Sequence, residues 1–421
     1  MNRGYLIILL LIWSCSENEP ELNDFEIEVA NYYHGDQLDA WVFFHDNDGK
    51  LIDQAQFTDG QSLKIPSLVS ADKKVSVTLV RILKNLNGDP SFNVESYLNV
   101  SFPAKWKLGV FAQYPELACG GVNGQLDLTL EDDQLGNLHD VNVSTLKANH
   151  YPNPNESTTS TFKFSPLPIV ENCASSFFLY AQDKNGNPKY KFMENVQPGI
   201  FTYSLDDFKS FDKVIEVSFP QNAIAYLAVK AFDAGKSIHT EGYLTNSAFG
   251  SSFGGIPIAS YKVGYLDRFP KYRTTLYARY YKYLEYNFAL RHEEVGSAPS
   301  SISFDSNFAP EVTNASFSEY SYTTNKPIVF KVISFLYYPA LPTTDSYIDW
   351  NVFSGGALGK NPKEVPKSFT QKYPNFYLSK LVLGSSSFYT KYNTFDEEIA
   401  VRFEGASEKE SFVYFGKELY Q

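Results

Sequence analysis

Runs of neighbouring carboxylates are the first residues whose types could do chemistry: Glu131-Asp132-Asp133, Asp206-Asp207 and Glu397-Glu398. Two carboxylates facing each other across a glycosidic bond can cleave it, one as acid and the other as nucleophile or base. Adjacent residues on a strand point to opposite faces, so none of these pairs supports that chemistry alone; solvated turns are the simpler reading. Asp46-Asn47-Asp48-Gly49 places carboxylates at alternate positions, as a calcium loop does. Such a loop also needs a Glu at its twelfth position, and that position is Phe57. A hairpin turn is expected instead. His34, His45, His139, His150, His239 and His292 are scattered, with no zinc-ligand spacing among them. There is no Gly-x-Ser-x-Gly elbow, phosphate-binding loop or dinucleotide fingerprint. No catalytic residue, metal ligand or cofactor is assigned, and the chain reads as non-enzymatic.

The constellation with most chemical content is Tyr272 to Tyr286. On a regular strand, Tyr277, Arg279, Tyr281 and Tyr283 fall on one face, and Tyr280, Lys282, Leu284 and Tyr286 on the other. Tyrosine offers a flat apolar ring with a polar tip at low conformational cost, which suits binding surfaces, and sugar rings stack on such platforms. Tyr277, Arg279, Tyr281, Tyr283 and Tyr286 are therefore candidate ligand-binding residues. The ordinary alternative is an amphipathic strand with one face in a core and one in water. Tyr320-Ser321-Tyr322, Tyr337-Tyr338, Trp350 and Phe388-Tyr389 add to the aromatic supply.

The elements that must position these residues are strands. Aromatics make up 16% of the 421 residues, with 30 Tyr and 34 Phe, and long helix-forming runs are missing. Alternating or apolar runs predict strands at 25–29, 38–45, 50–57, 74–83 and 92–102, punctuated by Asp46–Gly49, Thr58–Gly60 and Asn87–Pro90. About seven short strands with regular turns suggest an immunoglobulin-like sandwich over 24–106. Strands at 125–131, 141–146, 161–164, 177–182, 189–193 and 214–219 predict a second β domain over 107–220. From 221 to 421 an aromatic-rich β-sandwich region is expected. Its strands fall at 226–232, 274–283, 286–291, 328–335, 377–383, 398–403 and 411–415, with long loops at 247–257 and 354–369. The fold class is all-β, two or three consecutive sandwiches.

The net charge of −12 argues against nucleic acid, whose phosphates need a basic surface. At the amino terminus, Arg3 precedes the apolar run Tyr5–Trp13, then Ser14-Cys15 and the acidic stretch Ser16–Glu21. The apolar run is too short to span a bilayer as a helix and has the layout of a secretory signal. Ile12-Trp13-Ser14-Cys15 resembles the lipobox of bacterial lipoproteins, and the acidic stretch resembles the export signal of Bacteroidota surface lipoproteins. The resemblance implies cleavage after residue 14, lipid on Cys15, a tether over 15–23, and an outer-membrane location facing the cell exterior. Two further cysteines, Cys119 and Cys173, would sit in a disulfide-permissive compartment. They are expected either to bridge, closing a loop of about 55 residues that chain-entropy arguments value at roughly 4 kcal/mol, or to stay as buried thiols.

The functional expectation is a surface lipoprotein that binds a ligand without cleaving it, polysaccharide being the leading ligand. Tether, small sandwich and aromatic-rich β region together are similar to accessory glycan-binding lipoproteins of Bacteroidota. An adhesive protein with a protein partner and a hydrolase with dispersed carboxylates stay open beside it.

Overall fold

A computed structural model describes residues 24–30, 37–66, 74–84, 89–109, 119–136, 141–171, 175–219, 223–236, 238, 242–250, 260–282, 285–338, 347–356, 359–406, 409 and 411–420. The expected leader, Cys15, the acidic tether, Cys173 and Tyr283 lie outside the described residues.

The chain is nearly all β. The first strands are β1 Asp24–Val29, β2 Gln37–His45, β3 Leu51–Gln56, β4 Ser62–Pro66, β5 Lys74–Lys84, β6 Pro90–Ser101 and β7 Ala104–Leu108. There follow β8 Val122–Glu131, β9 Val141–Ser144, β10 Asn149–His150, β11 Thr161–Val170, β12 Phe177–Gln182, β13 Pro188–Met193, β14 Gly199–Tyr203 and β15 Lys209–Ser210. Next come β16 Lys213–Ser218, β17 Ala223–Phe232, β18 Tyr243–Gly250, β19 Ser260–Tyr265, β20 Lys271–Lys282, β21 Glu285–Gly296, β22 Glu311–Asn314 and β23 Ser321–Thr323. The last are β24 Phe330–Tyr337, β25 Ile348–Ser354, β26 Val382–Lys391 and β27 Phe412–Tyr420.

Twelve of these strands form one sheet, in the order β18-β17-β20-β21-β27-β26-β24-β25-β6-β5-β2-β3. Its pairings are antiparallel except at β25–β6, which run parallel with Trp350 opposite Val94. Hydrogen bonding therefore passes from strands of the first expected domain straight into strands of the last, across the boundaries expected at 106/107 and 220/221.

The centre of this sheet is apolar on both faces. On β2, Ala40, Val42 and Phe44 face one core, while Trp41 and Phe43 face another. That is why β2 reads as a continuous apolar run rather than an alternation. The first core is closed by the small sheet β4-β1-β7, through Phe25, Ile27, Ile65 and Trp106. The second is closed by Phe317 and by the segment carrying α1 (Lys367–Lys372), through Phe369 and Phe376.

In the middle region, β11-β8-β14 packs on β10-β9-β12-β13-β15 around Leu126, Leu128, Val143, Phe164 and Leu179. The opposite face of β12 docks on the large sheet's neighbourhood, with the Tyr180 and Tyr261 hydroxyls 2.6 Å apart and Asn142 Nδ2 donating to Leu244 O at 3.1 Å. Cys119 is held in a disulfide.

Three expectations need correction. Residues 398–403 are helical, not a strand: α2 (Phe395–Ile399) continues into a π-helix over Ala400–Glu404. Phe395, Ile399 and Phe403 recur every fourth residue and enter the first core, where Phe403 stacks on Trp106 at 4.1 Å. Thr394 and Glu397 cap the start reciprocally, Thr394 N donating to Glu397 Oε2 at 2.8 Å. Residues 377–383 turn through a 3-10 segment at Leu378–Lys380 before β26 begins. The loop expected from residue 247 starts later, because Ser247–Gly250 extend β18 against β17. The Asp46–Gly49 turn is a hairpin as expected, its Asp46 Oδ1 accepting from Asp48 N and Lys50 N at 2.9 Å each.

Candidate functional site

Paired residues on neighbouring strands share a face, so register shows which side chains stand side by side. Across the large sheet, Tyr277 pairs with Arg291, and Arg279 with Ala289, itself opposite Glu418. Tyr420 pairs with Ser385, Ser385 with Ser334, Ser334 with Asn351, and Asn351 with Glu95. One row over, Asp349 pairs with Asn93, and Asn93 with Arg81. The result is a belt of tyrosine, guanidinium, carboxylate, amide and hydroxyl groups over eight consecutive strands from β20 to β5. At a strand spacing of about 4.8 Å, the belt is roughly 30 Å long. Tyr277, Arg279, Arg291, Glu418, Tyr420, Ser385, Ser334, Asn351, Asp349, Glu95, Asn93 and Arg81 are each half-buried. Towards the other end of the same strands, this face passes into the core with Tyr389 and Tyr414.

At the β20 end the groups hold each other. Tyr277 OH donates to Glu418 Oε2 at 3.2 Å and meets Tyr420 OH at 3.0 Å, and Tyr420 OH donates to the same carboxylate oxygen at 2.6 Å. Arg291 Nη1 donates to Glu418 Oε1 at 2.9 Å. Guanidinium carbons of Arg279 and Arg291 lie 4.8 and 5.6 Å from the Tyr277 ring. Burial, then the hydrogen bond to Glu418, pushes the Tyr420 phenol well above its ordinary range. Tyr226, opposite Tyr277 on β17, leaves 37% of its surface exposed. Tyr280 lies on the other face, stacked on Phe288 at 4.2 Å. Of the remaining sequence candidates, Tyr281 and Tyr286 are backbone partners across the β20–β21 hairpin.

The far end carries open rings. Tyr338 is 62% exposed and stacks on Tyr347 at 5.8 Å, with 23° between the planes. Beside it, Asn351 Nδ2 donates to Asp349 Oδ1 at 3.0 Å. Burial and the nearby Glu95 raise the Asp349 carboxyl against the effect of that hydrogen bond. Tyr97 OH donates to Glu95 Oε2 at 2.7 Å, and Arg81 Nη2 donates to Asn93 Oδ1 at 3.4 Å. On the opposite rim, Lys380 Nζ lies 4.9 and 4.2 Å from the Tyr337 and Tyr377 rings. Sequence reading singled out Tyr337-Tyr338 here but missed Tyr347, Asn93-x-Glu95 and Asp349-x-Asn351. The signal of the last two was a polar residue at every second position within otherwise apolar strands.

Of the paired carboxylates of the sequence, Asp132, Asp207 and Glu397 are spent on turns and caps. Asp132 accepts from Gln134 N and Leu205 N at 2.8 Å each, Asp207 from Ser204 N at 2.9 Å. Glu398 instead turns into a cleft of about 400 Å³ that Glu293 also lines. Arg402 Nε meets Glu398 Oε1 at 2.6 Å, and Arg273 meets Glu293 Oε1 at 2.6 Å. Tyr414 OH donates to the other oxygen of Glu293. Two carboxylates thus share a cleft, but each is already held by a guanidinium, the arrangement of an internal ion pair rather than of a proton donor facing a substrate. Among the described residues, no group of three or more His, Cys, Asp or Glu is placed to hold a metal ion. Nor is any helix among them long and apolar enough to cross a membrane.

No known protein family matches the chain, and no characterised protein matches it significantly.

Proposed function

We propose that the belt is a glycan-binding surface and that the chain is a non-catalytic, lipid-anchored protein displayed on the outer face of an outer membrane. One observation carries the binding reading: an exposed Tyr338, stacked on the half-buried Tyr347, continues into a row of planar amide, carboxylate and guanidinium groups. Such rings offer apolar faces to the C–H side of a sugar, and the planar groups offer paired donors and acceptors to its hydroxyls. The length of the belt suits an extended polymer rather than a single small molecule. Anchoring through Cys15 rests on the lipobox-like amino terminus. The bridge partner of Cys119 in this proposal is Cys173: Gly120 N donates to Glu171 O at 2.9 Å and Glu171 N to Gly121 O at 3.2 Å, drawing the two chain segments together.

The test is affinity electrophoresis of the chain from Ser16 onward against a panel of polysaccharides, with product analysis of the same mixtures. Retardation by a glycan without cleavage supports the proposal. Products would transfer attention to the Glu293–Glu398 cleft. Neither retardation nor products across a broad panel would overturn the glycan reading and favour a protein partner.

A further inference from the structure

Away from the belt, a cleft of about 580 Å³ opens between the loop at 153–160, the turn at 183–187 and β19. Its size is that of a small-molecule site, and its position, where two packed units meet, is where such sites concentrate. The loop wall presents Ser157, Thr158 and Thr159, and the turn wall presents Lys184 and Asn185.

Internal hydrogen bonds fix each wall. Thr158 N donates to Thr161 O at 2.7 Å, and Lys163 N to Ser157 Oγ at 3.1 Å. Asp183 Oδ1 accepts from Asn185 N and Asn187 N at 2.8 Å each, so its charge is consumed by its own turn. Across the cleft, Gln182 Nε2 donates to Lys262 O at 3.2 Å and Lys262 Nζ to Asn187 Oδ1 at 2.7 Å. The walls are thus set before any ligand arrives, which spares a ligand the cost of ordering them.

From this we infer that the cleft between the 153–160 loop and the 183–187 turn is a second binding site, taking a short neutral polyhydroxylated ligand of the di- or trisaccharide class. Hydroxyl and amide side chains such as Thr158, Thr159 and Asn185 share the walls with apolar surface from Leu135 and Phe162, a mixture that suits the hydroxyls and C–H faces of a sugar. The ionic groups are mostly engaged within the walls, which favours a neutral ligand. The inference does not depend on the belt, although the ligand chemistry is related.

Isothermal titration calorimetry of the full-length protein in detergent, with maltotriose, cellotriose, mannotriose and xylotriose, tests it. Two variants at exposed cleft positions report on the site: Thr159→Trp, which fills the opening, and Asn185→Ala, which removes a wall group. Tyr338→Ala reports on the belt. The expected result is saturable binding of at least one trisaccharide, weakened tenfold or more by Thr159→Trp, weakened by Asn185→Ala and unchanged by Tyr338→Ala. Trisaccharide binding lost only in Tyr338→Ala would overturn the cleft site while leaving the belt intact. Absence of binding by all four would also overturn it, and polymer retardation would still decide the belt separately.

Discussion

Asp39 and Lys372 are 333 residues apart in the chain and 2.6 Å apart in space. The Asp39 carboxylate is almost fully buried, and it also accepts from Trp41 Nε1 at 2.9 Å, Gln56 Nε2 at 2.6 Å and Tyr373 OH at 2.7 Å. It fastens α1 to β2 and so closes the second core. Because Lys372 keeps about half its side chain in solvent, the ion pair itself contributes modestly. The buried donors matter more. Asp39→Ala should cost about 2–4 kcal/mol in urea unfolding.

The same carboxylate sets an acid limb. Burial raises its pKa, but hydrogen bonds from Lys372, Tyr373 and Trp41 outweigh that and leave it below the ordinary value. A depressed Asp contributes stability above its unfolded pKa, about 3.9, and loses it as pH falls through the folded value. Asp39→Asn should therefore show a flatter decline in stability below about pH 4 than the parent protein.

Lys331, 1% exposed on β24, donates from Nζ to Gly355 O at 2.9 Å. Burial pushes its pKa down to about 8. The unfolded chain binds more protons between that value and the unperturbed pKa of about 10.4, so stability should rise over this window as pH increases. Lys331→Met removes the neutral-pH penalty along with one hydrogen bond. It should stabilise the protein at pH 7 by about 1–3 kcal/mol, with the gain gone near pH 10.5, as followed by thermal unfolding at several pH values.

Gly264 on β19 lies against the Phe211 ring, which a Cβ would penetrate. Gly264 N also donates to Asn246 Oδ1 at 2.9 Å, so the backbone is not free to retreat. Gly264→Ala should destabilise by about 1–3 kcal/mol, whereas Gly186→Ala, at an open position on the 183–187 turn with φ of 73°, should cost less through backbone strain alone. Paired melting curves check the ranking.

In the belt, Tyr338→Ala removes an exposed ring that supports little of the fold. Retention by a binding polysaccharide should weaken about two- to twelvefold, from roughly 0.5–1.5 kcal/mol of stacking, with no change in melting temperature. Tyr277→Phe should do the reverse. It strips a hydroxyl shared with Glu418 and Tyr420 and should cost about 0.5–1.5 kcal/mol of stability with a smaller effect on retention.

Most strands were legible because their patterns are local. Lys74–Lys84 and Val122–Glu131 alternate, and Asp46–Gly49 and Asp183–Asn187 carry hairpin turns. What was not legible is which strands join. Nothing in Phe92–Val94 announces that Ile348–Trp350 will lie beside it, since parallel pairing leaves no turn signature. The 395–404 helix was written in Thr394-x-x-Glu397 and in apolar residues four apart, but four of its ten residues, Phe395, Ile399, Val401 and Phe403, suit strands equally well. Tyr277 and Arg279 do share a face, as alternation predicts. That their ring and guanidinium meet each other, with Tyr277 hydrogen-bonded to Glu418, depends on β27, contributed from over 130 residues downstream.

The parallel seam between β6 and β25 also sets a schedule. Trp350 Nε1 donates to Ser96 Oγ at 2.9 Å, a contact spanning 254 residues. Whatever route the chain takes as it emerges, more than 250 residues must follow Ser96 before the second neighbour of β6 is present. Throughout that interval its outward edge, rich in apolar side chains, is a template for any strand that passes. An unpartnered β6 edge is therefore where early misassociation of this chain would begin.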